Sequence, residues 1–216
     1  MDSLPEQYAA RLEIDVPERL DRVTSFFRLI WIIPIAVVVG ALSASANETV
    51  TTVTNGVIET TTRSSGGITG GLFAATLLMI VFRMRYPRWW FDFAREFTRF
   101  NARVGAYLFL LTDTYPSTVD EQSVHLEIDY PDVQTDLNRW LPLVKWLLAI
   151  PHYIVLVALW IGAIVVWVIA WFAILFTGRI PRSLFDYLVG VGRWGLRVQA
   201  YAFLLVTDRY PPFSLR

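Results

Sequence analysis

The residues in this chain that could do chemistry come in pairs. Asp113 and Tyr115 lie in Thr112-Asp113-Thr114-Tyr115-Pro116, and Asp208 and Tyr210 in Thr207-Asp208-Arg209-Tyr210-Pro211. A carboxylate and a phenol held this close have the makings of an acid–base couple. Turn and cap chemistry is the simpler use of a repeated Asp-x-Tyr-Pro, because Asp accepts from nearby backbone N–H groups and the residue before proline stays extended. The arginines pair too: Arg88, Arg99 and Arg103 in the first half correspond to Arg182, Arg193 and Arg197 in the second. A guanidinium meets phosphate bidentately, so these six are candidates for lipid headgroups or for the wall of a pore. Pairing with Asp92, Glu96 and Asp186 along the same helices competes with that use. His152, which follows Pro151 inside an apolar stretch, is the remaining candidate, as a proton relay or as hydrogen-bonded packing.

Around these pairs the sequence excludes much. Cysteine is absent and His125 and His152 are the only histidines, so no metal cluster, disulfide or Ser-His-Asp triad can be assembled, and no cofactor is expected. No activated nucleophile is visible, which points away from an enzyme. A formal charge of +0 gives no field to gather nucleic acid. Hydrophobic residues make up 55% and aromatics 15%, with a mean hydropathy of +0.45, and the excess is concentrated in long runs.

Those runs are the elements that must position the pairs. Phe26 to Leu42 and Ile68 to Phe82 predict one helical hairpin. Leu143 to Phe176 is too long for one span and slightly short for two, so a break near Trp160-Ile161-Gly162 is expected to make a second, tight hairpin. Arg19, Arg22, Arg28, Arg83, Arg85 and Arg88 flank the first pair of spans, and Arg139, Lys145, Arg179 and Arg182 the second. Cationic flanks stay in the cytoplasm, which puts both termini inside and relates the repeats by an axis along the membrane normal. Arg28 and Lys145 are expected to snorkel from near the cytoplasmic ends. Buried helices of a soluble bundle, and hairpins held in one leaflet, are the alternatives.

The two repeats are assigned to residues 1–118 and 119–216. Leu12-Glu13-Ile14-Asp15-Val16-Pro17 returns as Leu126-Glu127-Ile128-Asp129-Tyr130-Pro131, and Arg103-Val104-Gly105-Ala106-Tyr107 as Arg197-Val198-Gln199-Ala200-Tyr201. Phe91 to about Leu111 and Phe185 to about Leu205 read as amphipathic helices at the inner surface. Both Leu-Glu-Ile-Asp segments alternate as strands, which makes a small cytoplasmic β-layer joining the halves plausible. A strand starting as early as Tyr107 and Tyr201 is the competing reading there.

Only the first half carries an insert, Ser43 to Gly71. Its centre places two β-branched runs around Asn55-Gly56, a strong signal for a β-hairpin. A two-stranded hairpin is marginal alone, so Thr49, Val50, Val53, Asn55, Gly56, Val57 and Ile58 become candidates for assembly with another subunit; a free Thr-rich loop is the alternative.

The chain resembles a prokaryotic membrane-protein family known as domain of unknown function 4389, present here in tandem. Tyr86-Pro87-Arg88-Trp89-Trp90-Phe91-Asp92, Glu96-Phe97-Thr98-Arg99-Phe100, Arg103 to Tyr107 and Thr112 to Pro116 carry the resemblance. Trp89, Glu96 and Phe100 become Ser183, Gly190 and Trp194 in a divergent second copy. The resemblance implies a small multi-span membrane protein and supplies no activity. The expected fold is therefore mainly α and integral to the membrane. It has four short transmembrane helices as two parallel tandem hairpins, two amphipathic interfacial helices, minor cytoplasmic β-structure and an extracytoplasmic β-hairpin. The expected role is a non-enzymatic accessory, scaffold or lipid-contacting subunit of the cytoplasmic membrane, self-assembling or part of a larger complex. A small channel or transporter with its path between the repeats is the second expectation.

Overall fold

The computed structural model describes residues 8–43, 47–54, 57–64, 67–118 and 120–216, with side chains described outside 42–66. Strand β1 (Ala10–Ile14) leads into three short helices, α1 (Arg22–Phe26), α2 (Arg28–Trp31) and α3 (Ile33–Ser43). Strands β2 (Asn47–Thr54) and β3 (Val57–Ser64) follow, then α4 (Gly67–Arg83) and α5 (Arg88–Leu108). The second half comprises β4 (Val124–Ile128), α6 (Pro142–Leu148), α7 (Ile150–Thr177) and α8 (Arg182–Ala202). The chain is mainly helical, with two antiparallel two-stranded sheets among the described residues.

The expected β-layer between the halves is present. β1 pairs with β4 from Ala10↔Ile128 through Leu12↔Leu126 to Ile14↔Val124. Alternation explains its two faces: Ala10, Leu12, Val124, Leu126 and Ile128 are buried, while Arg11 on the other face holds Asp129 at 2.8 Å and Glu127 at 3.1 Å. The ribbon is exchanged between repeats. β1 of the first repeat packs on α8 of the second, and β4 of the second on α5 of the first. Neither repeat can therefore complete its own core alone.

α5 and α8 begin alike and end alike. Pro87 and Pro181 sit at the N-caps with φ near −57° and −59°, where a missing N–H costs nothing. Beyond their C-termini Leu110 (φ 63°) and Leu205 (φ 58°) are left-handed, a conformation that costs a non-glycine residue about 1–2 kcal/mol. Both leucines are fully buried, and burying such a side chain returns about 1.5–3 kcal/mol. The residues from Tyr107 and Tyr201 are thus helix and left-handed turn, and the strand alternative there is not formed.

The apolar runs differ from expectation in two ways. The first expected span is segmented into α1, α2 and α3, while α4 matches the second closely and its start at Gly67 shortens the insert. The hairpin expected within Leu143 to Phe176 is not formed: α7 is one unbroken helix of 28 residues passing through Trp160-Ile161-Gly162. The chain breaks earlier, at Ala149 between α6 and α7, just before Pro151. Gly162 is needed for close approach instead of a turn, since a Cβ there would stand 2.6 Å from the Tyr187 hydroxyl, which donates to Leu159 O at 3.0 Å. α3 and α4, of 11 and 17 residues, together match the 28 residues of α7 in length.

By length and composition α7 is the one described helix able to cross a membrane; α4 is apolar but shorter. Much of its surface is uncovered: Ile154, Ile161, Ile164, Val165 and Phe176 are all exposed, as are Ile30 and Trp31 on α2 and Trp146 and Leu147 on α6. The insert forms the expected hairpin, Asn47↔Ser64 to Thr54↔Val57. Thr49, Val50, Val53, Val57 and Ile58 lie in its strands, and Asn55 and Gly56 fall outside the described residues.

Candidate functional site

The repeated Thr-Asp-x-Tyr-Pro segments act as anchors for two buried cations. Arg28, 2% exposed, donates to Tyr107 O (2.7 Å) and Thr112 O (2.6 Å) and pairs with Asp113. Lys145, fully buried, donates to Thr207 O at 2.7 Å and pairs with Asp208 at 2.7 Å. The second carboxylate oxygen of each aspartate accepts a backbone N–H ahead of the cation, from Asp21 (2.6 Å) and from Asn138 (2.5 Å). Each cation also faces a tyrosine ring, Arg28 over Tyr107 at 4.4 Å and Lys145 over Tyr201 at 5.2 Å. Those rings meet Tyr115 and Tyr210 edge to face at 5.6 and 5.7 Å. Snorkelling is thus replaced by inward pairing. One oxygen of each aspartate faces a cation and the other a backbone N–H, an arrangement that fits the cap reading.

The six arginines divide by what they touch. Arg103 and Arg197 are buried and donate to Ser117 O (2.6 Å) and Ser214 O (2.5 Å), clasping the segment that leaves each Tyr-Pro. A guanidinium remains charged, so the bond is charge-assisted. Arg193 donates to Leu12 O at 2.8 Å and Arg99 to Leu126 O at 3.1 Å, so each amphipathic helix grips the exchanged strand. Arg99 also pairs with Glu96 at 2.6 Å, Arg95 with Asp92 at 3.3 Å and Arg182 with Asp186 at 3.0 Å, as expected for pairing along a helix. Arg88 lies over the Tyr130 ring at 5.0 Å.

Replacing Arg197 by Met is expected to cost about 1.5–3 kcal/mol, the usual worth of a hydrogen bond from a charged donor. Arg182→Ala, which removes only an exposed pair, is expected to stay within about 0.5 kcal/mol. Denaturant unfolding in mild detergent measures both.

His152 is fully buried and accepts from Trp194 Nε1 at its Nδ1 (3.0 Å), stacked on Phe213 at 4.0 Å. It occupies the place that Ile35 holds in the first repeat, within an equivalent cluster around Tyr201. Its Nδ1 is thus used in packing, while its Nε2 has no hydrogen-bond partner among the described residues. Outside the helices, burial pushes the Tyr86 hydroxyl up to about 12 and raises that of Tyr8. Both therefore stay donors at ordinary pH, Tyr86 to Leu204 O (3.2 Å) and Tyr8 to Arg209 O (3.0 Å).

Between the repeats lies a cavity of about 320 Å³, walled by α5, α7, α8 and the β1–β4 ribbon. None of the six paired arginines and neither histidine lines it; its polar groups are Thr98, Asn101 and Gln199. No cluster of three or more His, Asp or Glu suited to a metal occurs among the described residues. Sequence reasoning missed this cavity because its walls are small and apolar, Gly105, Gly192 and Gly195 among them.

The anchor of Lys145, the clasp of Arg197 and the packing of His152 all fall between the start of α6 and the last residues. Residues 140–214 match the family described as Domain of unknown function (DUF4389). No curated protein and no solved structure matches the chain. The matched segment contains α6, α7, α8 and the Thr207 to Pro211 anchor and ends at Ser214, which the Arg197 clasp holds. The family's description assigns no activity to it.

Proposed function

We propose that this protein is a non-enzymatic integral protein of the cytoplasmic membrane, an accessory, scaffolding or lipid-contacting subunit that assembles with itself or with a larger complex. The observation that carries the proposal is the uncovered apolar surface of α2, α6 and α7, on a molecule whose paired cations are spent on internal carbonyls and carboxylates. An apolar surface this extensive needs lipid or protein against it. Both chain ends are assigned to the cytoplasmic face. Support comes from two contacts: β1 is hydrogen-bonded to β4, and Tyr8 donates to Arg209 O. Segments in direct contact share a side, so the chain between them crosses a bilayer an even number of times. An unbroken α7 separates its two basic flanks by about 42 Å. Its crossing therefore has to be answered by α8, or else both lie within one leaflet.

Transport along a path between the repeats draws less support. The groups expected to line such a path, Arg99, Arg103, Arg193, Arg197 and His152, point to strands, tails and an indole and do not converge.

The β2–β3 hairpin is the proposed assembly element. Native mass spectrometry from lipid discs, on the intact chain and on a variant lacking Thr49 to Thr62, tests this. A defined oligomer or hetero-complex that disperses on deletion is expected; a monomer in both samples overturns the assembly role.

A further inference from the structure

The cavity between the repeats straddles their pseudo-two-fold axis. Leu12 and Leu126, paired in the ribbon, both line it. Asn101 of the first repeat stands where the second has Gly195, and Gln199 of the second stands where the first has Gly105. Each copy thus contributes one amide and one glycine, and the glycines leave the space open. A Cβ built on Gly105 or on Gly195 meets nothing within 4 Å. Asn101 donates to Phe97 O at 2.8 Å, and no hydrogen bond of the Gln199 side chain occurs among the described residues. On the far side of the two amides lies a smaller space of about 170 Å³ bounded by Phe73, Phe97 and Phe203. The amides therefore form a polar septum, with apolar room on both sides.

The larger space has its rim at Phe109 and Trp160, whose rings are 5.3 Å apart, and Trp160 is 39% exposed. From that rim the uncovered face of α7 continues without a polar residue through Ile161, Ile164 and Val165, all exposed. Aqueous ligands would have to cross this apolar surface to enter. A hydrocarbon chain already dissolved beside it would not.

We propose that the cavity binds one acyl chain of a membrane lipid, which enters over the Phe109–Trp160 rim and ends against the Asn101–Gln199 septum. This rests on the membrane reading above. The chain fills space that otherwise leaves the cavity-facing sides of Leu126, Leu188 and Leu196 without contacts, and it joins the two repeats across their axis. A concave, apolar site with a few polar groups at one end is the general form of small-ligand pockets.

The test reconstitutes the intact protein into phosphatidylcholine vesicles in which one acyl chain carries a diazirine, irradiates, and maps adducts by mass spectrometry. Adducts on Ala102, Leu188 and Leu196 are expected, in addition to those on the outer face of α7. Gly105→Leu and Gly195→Leu each place a side chain in the open space, and interior adducts are expected to fall about tenfold in both while the outer adducts persist. Outer adducts alone in the unaltered protein overturn the acyl-chain site and leave the membrane reading standing. No adduct anywhere overturns the membrane reading itself. Interior adducts that survive both substitutions also overturn the site. Should either variant fail to fold, the adduct map of the unaltered protein still decides.

Discussion

Replacing Asp208 by Leu is expected to destabilise the protein by about 3–5 kcal/mol, a large part of the stability of an ordinary domain. The reason is the position of Lys145. Its ammonium is fully buried, paired with Asp208 at 2.7 Å and bonded to Thr207 O. Removing the carboxylate leaves an uncompensated charge where neither water nor a headgroup reaches it. The same substitution also strips the cap from the Asn138 N–H. Lys145→Met together with Asp208→Leu is expected to recover most of the loss, because taking away both charges removes the desolvation cost along with the attraction. In the first repeat Asp113→Leu is expected to cost less, since Arg28 keeps two carbonyl partners, Tyr107 O and Thr112 O. Unfolding curves of the three variants and the unaltered protein in one detergent give the comparison. If Asp208→Leu costs under about 1 kcal/mol, the value typical of an exposed pair, then Lys145 reaches the surface and the anchor does not exist.

The anchors also show what was legible in the sequence. Arg28 and Lys145 recur across the repeats, and so do Asp113 and Asp208; read separately, each cation looks like a snorkelling residue and each aspartate like a turn residue. The recurrence of both sets together was the available signal, because a cation and a carboxylate kept in step through a divergent duplication have reason to be partners. The amphipathic helices, the β1–β4 ribbon and the β2–β3 hairpin were readable from periodicity and from Asn55-Gly56. The continuity of α7 was not, because a glycine inside an apolar run signals a turn and a close approach equally well, and Tyr187 is remote in sequence from Gly162. Nor was the exchange of strands between repeats. Alternation assigns Leu12 and Leu126 to a buried face without saying which helix covers it, and Arg193 and Arg99, the residues that fix the choice, look like surface charges until their carbonyl partners are known. The left-handed leucines gave no local sign at all, since only tertiary burial holds Leu110 and Leu205 there.

The uncovered face of α7 decides whether lipid or protein surrounds the molecule. Val165, near the middle of the helix, is 56% exposed, and Phe176, at its end, 77%. A lysine at the centre of a bilayer-embedded helix costs about 2.5–3.5 kcal/mol, whereas near a helix end the side chain can carry its ammonium to the interface at little cost. Val165→Lys is therefore expected to shift most of the protein out of the alkali-resistant membrane fraction, while Phe176→Lys leaves the distribution nearly unchanged. Position along the helix is the discriminating variable. A water-facing surface would tolerate lysine at both sites, and the protein would then be recovered soluble and folded in both variants. A face covered by another protein subunit would be sensitive at both, since each exposed side chain would lose a packed partner. Only hydrocarbon punishes the middle and forgives the end, so the contrast between the two variants carries the membrane reading, and with it the route by which a lipid chain reaches the cavity between the repeats.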